Sequence, residues 1–505
     1  MIKNVITYLE QAATDFPEKI GFCDEVESCT FNEMNLRAKR IGTQIIQGLG
    51  GRRNKPIAVY MDKSVASLSV FFGIVYSGNF YVPIDVKSPT ERIKKIFATL
   101  KPEIIYTQEK YLETVRSIWQ NHLIMLESEN VAIDEVWIQK SVKKQLDVDP
   151  LYVLFTSGST GIPKGVVVSH KSVIDYVEWL RDFFKFNEDI VLGNQAPFYF
   201  DNSVFDIYST IRNAATLYII PERLFAFPQK LMEYIQEKGI NTIFWVPSAL
   251  IGVANANILK VGMNTYLKKV LFCGEVMPNK QLNIWRGAIP NALYANLYGP
   301  TEITDVCSCY VVERTFRDEE SLPIGYACNN MEIFLLNEQD KLCQGQEIGE
   351  ICVRGTGLAH GYYANTVATG KVFVQNPLNS EWPDLIYRTG DLAYYNTYGE
   401  LDYVGRKDHQ IKHNGYRIEL GEIEQAASCL EGIERACALY DEQTNKILLF
   451  CMAEDVQEKI VYMALKNKIP SYMLPSKIII VKKFELNANG KIDRKQLKKY
   501  YKGEI

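Results

Sequence analysis

The sequence predicts an α/β protein with a large N-terminal part, built of mostly parallel sheets flanked by helices, and a smaller α+β C-terminal part. Three observations carry this expectation. Short apolar runs alternate with helical patterns through the first four-fifths of the chain, as strands joined by crossover helices do. At 505 residues the chain exceeds what one hydrophobic core usually supports. Between Tyr398 and Asp408 the pattern changes, with Gly399, Gly405 and several charges preceding a new set of elements.

Taken in order, the N-terminus mixes Lys3, Glu10, Asp15 and Glu18 with apolar residues, which suits an amphipathic surface helix and lacks a secretory core. Ile57–Tyr60 reads as a strand. Val65 to Ile84 is the nearest approach to a membrane span, but Ser67, Ser69, Ser77, Gly78, Asn79 and Pro83 interrupt it. A buried helix over 64–77 running into a strand is expected instead, and no membrane span. Glu91–Leu100 reads as a helix, and Ile104–Tyr106, Leu151–Phe155, Ile243–Val246 and Val270–Phe272 as short strands. After Asp408, a helix over 421–430, a strand over 446–452, a helix over 456–468 and a basic tail make a small second domain of common size. No internal repeat and no low-complexity block is seen.

Composition narrows the function. Hydrophobic residues at 47% and charged residues at 23% are ordinary for a globular protein. A formal charge of -4 gives no reason to expect nucleic acid as a partner. Eleven cysteines show no CxxC pair and no metal spacing, so they read as reduced thiols in a cytoplasmic protein.

The most informative stretch is Thr156-Ser157-Gly158-Ser159-Thr160-Gly161-Ile162-Pro163-Lys164-Gly165, entered from the Leu151–Phe155 run. Glycines turn backbone N–H groups inward, hydroxyls add donors and Lys164 adds a positive charge, a combination suited to gripping a polyphosphate. It is not a Walker A loop, because Gly165 stands where Ser or Thr should hold magnesium.

This loop resembles the phosphate-binding signature of the adenylate-forming superfamily, which includes acyl-CoA synthetases, luciferases and nonribosomal peptide adenylation domains. The likeness recurs in order. Tyr298-Gly299-Pro300-Thr301-Glu302 resembles the family's YGPTE element and Tyr387-Arg388-Thr389-Gly390-Asp391 its YRTGD. Gly405-Arg406-Lys407-Asp408 resembles its hinge, and Asn489-Gly490-Lys491-Ile492-Asp493-Arg494 its C-terminal NGKIDR. Five motifs in the family's order make chance implausible.

The resemblance implies an ATP- and amino-acid-binding core over 1–407 and a mobile C-terminal lid over 408–505, with the hinge at Asp408. It implies that a substrate carboxylate attacks the α-phosphorus of ATP. Thr156, Ser157, Thr160 and Lys164 would hold the β- and γ-phosphates. Thr301 would contact the α-phosphate and Glu302 would bind Mg2+, a hard cation that prefers oxygen. Asn296 and Tyr298 would receive the adenine, although a tyrosine is more often core or rim. Asp391 would accept from both ribose hydroxyls. Arg406 would reach ribose or phosphate, or else form a surface ion pair. Lys491 would enter on lid closure to bind the substrate carboxylate and the adenylate, against the plain reading of a solvated lysine in a basic tail. Gly415 would line the approach of the pantetheine arm after the lid swings.

Phe200-Asp201-Asn202-Ser203 resembles the FDxS element of amino-acid-activating members, in which the aspartate pairs with the substrate α-ammonium. The competing reading is an aspartate that caps the following helix. Alignment by motif gives a side-chain pocket of Asn202, Phe205, Trp245, Leu271, Cys273, Leu297, Asp305 and Val306. Neighbouring strings such as Asn194-Gln195-Ala196-Pro197-Phe198 resemble stand-alone enzymes of the D-alanine–D-alanyl carrier protein ligase type. That likeness implies a monomer whose product goes to the phosphopantetheine thiol of a carrier protein. Asn202, Trp245 and Asp305 depart from that family's pattern. A stand-alone adenylation enzyme for another amino acid is therefore the alternative, and an acyl- or aryl-CoA ligase a more distant one. Asp305 would address a polar or amino-bearing side chain, or else hydrogen-bond Asn202 within the protein.

Overall fold

The computed structural model describes residues 2–119, 123–126, 131–158, 161–408, 410–454, 456–485 and 492–502. It has the α/β organisation expected from the alternating runs. The chain divides into two compact units, the first comprising 1–85, 100–154 and 165–407, the second 86–99, 155–164 and 408–505. The sequence predicts a single cut at 407/408, and the two short segments that join the C-terminal part carry no composition change to announce them.

In the first unit a nine-stranded sheet runs in the order Tyr326–Ala327, Ser308–Val311, Leu293–Tyr298, Lys269–Cys273, Thr242–Trp245, Val191–Asn194, Thr216–Ile219, Ile20–Cys23, Ser28–Thr30. From Leu293–Tyr298 to Ile20–Cys23 the neighbours are parallel, and the pairs at both margins are antiparallel. A seven-stranded sheet orders Gly361–Tyr362, Lys164–Ser169, Pro150–Thr156, Phe80–Pro83, Pro56–Tyr60, Ile104–Thr107 and Leu123–Leu126. A third, antiparallel sheet is built on Leu385–Tyr395, which pairs with Gly349–Gly355, Phe373–Gln375 and Leu401–Arg406.

Local chemistry explains the main helices. Phe31–Gly48 starts in a capping box, where the Thr30 hydroxyl accepts from Glu33 N and the Glu33 carboxylate accepts from Thr30 N. Ser64 and Ser67 do the same for Val65–Tyr76. That second helix is buried nearly all round, and Phe71 on it stacks on Tyr81 of the strand that follows, with ring centroids 4.3 Å apart. An apolar helix of this length is core. Among the described residues no helix is long and apolar enough to cross a membrane.

Register decides which residues share a layer. Parallel pairing sets Phe244, Leu271 and Ala295 in one row and Trp245, Phe272 and Asn296 in the next. The first row packs, with Cys273, Leu297, Phe205 and Val306, in the large core. Trp245 and Phe272 pack on the other face with Ile243, Leu250 and Trp285.

The second unit has a hairpin of Gln410–His413 and Tyr416–Glu419. Beside it Arg435–Asp441, Lys446–Met452 and Lys477–Val481 form a three-stranded sheet. Its core is Ile418, Ile423, Leu449 and Val461 with their neighbours, drawn from the Leu420–Ser428 and Glu458–Lys466 helices as well as the strands. The basic tail forms the Arg494–Lys502 helix, and Arg494 on it pairs with Glu424.

Candidate active site

Three motif residues meet in the first unit. Tyr298 closes the Leu293–Tyr298 strand, and Asp391 and Arg406 face each other across an antiparallel pair. The Tyr298 hydroxyl donates to Asp391 Oδ2 at 2.5 Å and Arg406 Nη1 lies 2.9 Å from Oδ1. Tyr403, which the motifs did not single out, donates to the same carboxylate at 3.4 Å. Asp391 is only 2% exposed, so Arg406 supplies the opposite charge that a buried carboxylate needs. Burial first, then the Asp391 charge, pushes the Tyr298 phenol far up, and it stays a donor. Arg406 is thus in a buried ion pair, which sets aside the surface reading. Asn296 lies two residues back in the strand and donates through Nδ2 to Pro323 O at 2.8 Å.

The YGPTE turn brings its two functional side chains to different partners. The Thr301 hydroxyl donates to Asp201 Oδ2 at 2.5 Å. Glu302 is buried, and Tyr362, another residue the motifs did not reveal, donates its phenol to Oε1 at 2.7 Å. Among the described residues no group of three or more His, Cys, Asp or Glu side chains gathers as a metal cage. A single carboxylate suits magnesium, which keeps several waters and takes phosphate oxygens, so Glu302 fits that ion.

Asp201 stands at the N-cap of the Asn202–Asn213 helix, and its Oδ1 accepts from Asn202 N at 3.0 Å. The capping contact is therefore real, but it uses the first helical N–H rather than the second or third that a good cap satisfies. Phe205, one turn on, stacks on Phe244 with centroids 4.3 Å apart. Leu271, Cys273, Leu297 and Val306 belong to the same layer.

Trp245 does not join them. Its indole Nε1 donates to Gly193 O at 2.8 Å and its ring packs edge-on to Phe225, on the opposite face of the sheet. Strand alternation is the cause: the residue beside Leu271 is Phe244, so the pocket position assigned to Trp245 belongs one residue earlier.

Asp305 is buried, and it does not pair with Asn202. Tyr176, on the His170–Phe184 helix, donates to Asp305 Oδ2 at 2.7 Å. Burial, with the Asp201 charge adding to it and the Tyr176 bond opposing it, holds the Asp305 carboxyl well above the usual carboxylate range.

In the second unit, Thr156 Oγ1 donates to Lys164 O at 3.4 Å across the glycine-rich loop. Gly161 takes φ +67°, a left-handed conformation that favours glycine, and its carbonyl accepts from Lys95 Nζ at 3.0 Å. The Ser157 hydroxyl donates to Arg417 O at 2.8 Å and accepts from Glu419 N at 3.1 Å. Asp408 accepts from Gln410 N at 3.2 Å through Oδ1. Thr160 and Lys491 lie outside the described residues.

Comparison with known proteins agrees with the motifs. The AMP-binding enzyme family matches residues 9–363. D-alanine–D-alanyl carrier protein ligase of Bacillus licheniformis is 31% identical, over 98% of this chain and 99% of its own length. Tyrocidine synthase 1 of Brevibacillus parabrevis is 29% identical over 98% of this chain, which spans only 45% of that protein. Zwittermicin A synthase ZmaJ of Bacillus cereus is 29% identical over 97% of this chain and 93% of its own length. Among solved structures, the Vibrio cholerae adenylation domain AlmE, in complex with glycyl-adenosine-5'-phosphate, superposes with a TM-score of 0.84 at 22% identity, over 100% of this chain and 98% of that one. With the ordered motifs and the matched core in hand, the chain belongs to the AMP-binding enzyme family of adenylate-forming ligases.

Proposed function

We propose that this chain activates an amino acid with ATP and passes the aminoacyl group to the phosphopantetheine thiol of a carrier protein. The observation that carries the reading is Asp201, a carboxylate at the head of the Asn202–Asn213 helix, held by the Thr301 hydroxyl within the motif cluster. A carboxylate so placed is a partner for an α-ammonium, which a fatty or aryl acid lacks. The likeness to a D-alanyl carrier protein ligase over the whole of both chains supports the carrier as acceptor.

In the first half-reaction a carboxylate oxygen bonds to the α-phosphorus and the bond to pyrophosphate breaks. Both reactants are anions, so the protein's task is to orient them and to offset charge at phosphorus. Asp391 would hold the ribose hydroxyls, with Arg406 and Tyr298 fixing its orientation. Asn296 and Tyr298 would border the adenine. Thr301 would turn from Asp201 toward the α-phosphate when nucleotide enters. Thr156, Ser157, Thr160 and Lys164 would hold the leaving pyrophosphate, and Ser157 would exchange its backbone partners for phosphate oxygen. Glu302, steadied by Tyr362, would hold magnesium, which when bound offsets phosphate charge. Lys491 would bind the substrate carboxylate. In the second half-reaction the thiolate sulfur attacks the acyl carbon and AMP leaves, after rotation about Asp408.

The test is direct detection of the product. Incubated with ATP, magnesium and amino acids, the chain should yield an aminoacyl adenylate, trapped by hydroxylamine as the hydroxamate, and AMP with pyrophosphate. Hydroxamates formed from aryl or fatty acids and from no amino acid would overturn the reading.

A further inference from the structure

Two buried polar atoms at assigned pocket positions of the first unit have no hydrogen-bond partner: Asp305 Oδ1 and Asn202 Nδ2. Buried polar groups are almost always paired, so two at neighbouring pocket positions call for an occupant. They belong together. Asn202 and Phe205 are three residues apart on one helix and so share a face, and Phe205 lies against Phe244 in the pocket layer. The Thr301–Asp201 bond ties the turn just before Asp305 to the head of the helix that carries Asn202.

The backbone adds an independent sign. Thr304 and Asp305 both take left-handed conformations, with φ of 60° and 73°, although neither is glycine. Such strain persists only where the surroundings enforce it, and it concentrates at binding sites. Here the Thr304 hydroxyl is pinned to Gly357 O at 2.8 Å and Tyr176 holds one Asp305 oxygen at 2.7 Å, leaving the other without a partner.

We propose that the amino acid activated by this chain bears a short, neutral, polar side chain with a donor and an acceptor at its tip, a hydroxyl or a carboxamide. The inference rests on the amino-acid-activation reading and names the substrate class for the same site. The side-chain oxygen accepts from Asn202 Nδ2, and its O–H or N–H donates to Asp305 Oδ1. A methyl group would leave both atoms unpaired. A second ammonium would set its N–H groups against the Asn202 amide donor. It would also meet an Asp305 whose charged form burial disfavours. An acidic side chain would bring a second negative charge toward Asp201.

The experiment is ATP–pyrophosphate exchange by the full chain with serine, threonine and asparagine, against their apolar isosteres 2-aminobutyrate, valine and leucine and against alanine and 2,3-diaminopropionate, each in both configurations. One polar neutral member should exceed its apolar isostere in kcat/KM by about a hundredfold or more, since a site built to hydrogen-bond a group rejects the analogue lacking it. Asp305→Ala should shrink that ratio by about tenfold or more, mainly by loss on the polar substrate, because the discriminating hydrogen bond is gone. Asn202→Ala should move it in the same direction, and serves if Asp305→Ala does not fold. Equal use of polar and apolar members, preference for alanine or the diamino acid, or an unchanged ratio in the variants would overturn the inference and leave amino-acid activation standing. Exchange with no amino acid would overturn both.

Discussion

Asp206 lies on the Asn202–Asn213 helix, fully buried, with Asn194 Nδ2 donating to its Oδ2 at 2.7 Å and Oδ1 without a partner. Burial pushes its carboxyl up to about 8, against the opposing pull of the Asn194 bond and the Lys63 charge. In the unfolded chain the group returns to its ordinary 3.8. Between those values the native state keeps a proton that the unfolded chain releases. Stability from this group is therefore fully present below about pH 4 and declines as pH rises toward 8. Each pH unit in that window is worth about 1.4 kcal/mol, so the loss from pH 5 to pH 8 comes to about 4 kcal/mol. Asp206→Asn keeps the shape and an oxygen for Asn194, and carries no such proton. Urea unfolding followed by tryptophan fluorescence at pH 5, 6, 7 and 8 should show the variant gaining on its parent by about that amount. Parallel curves for the two proteins would refute the assignment of a protonated, buried Asp206.

Further outcomes are expected at the site. Trp245→Ala should destabilise by about 3–5 kcal/mol through its cavity yet leave the amino-acid preference as it is, whereas Phe244→Ala should change the preference in an exchange panel. Tyr362→Phe removes the donor to Glu302. It should cost about 1.5–3 kcal/mol, the range of hydrogen bonds to charged groups, and raise the magnesium concentration needed for half-maximal exchange. Lys491→Ala should abolish ATP–pyrophosphate exchange far more than transfer from preformed adenylate, and equal losses in the two half-reactions would sink its role.

Much of the arrangement was legible in the sequence because it is carried by punctuation. Polar interruptions in Val65 to Ile84 separated a buried helix from the strand after it, and both form as Val65–Tyr76 and Phe80–Pro83. Tyr298, Asp391 and Arg406 sit beside glycines, where the chain leaves recognisable strings, and they meet. The side-chain pocket was harder. Thr242–Trp245 is a central parallel strand buried on both faces, so it reads as one apolar run with no alternation to say which face Phe244 or Trp245 takes. Tyr176, Tyr362 and Tyr403 act on motif residues from distant elements, and nothing local sets them apart from the other tyrosines among the 30 in the chain. The left-handed pair Thr304–Asp305 carries no glycine to mark it.

The central claim, that an amino acid is recognised through its ammonium group and adenylated, is tested most directly with pairs of acids differing only at that group. ATP–pyrophosphate exchange should run with one amino acid and fall to background when its α-amino group is replaced by hydrogen, and Asp201→Ala should abolish the difference by losing the amino acid. Exchange that is as fast with the des-amino acid, or that survives Asp201→Ala unchanged, would contradict the account.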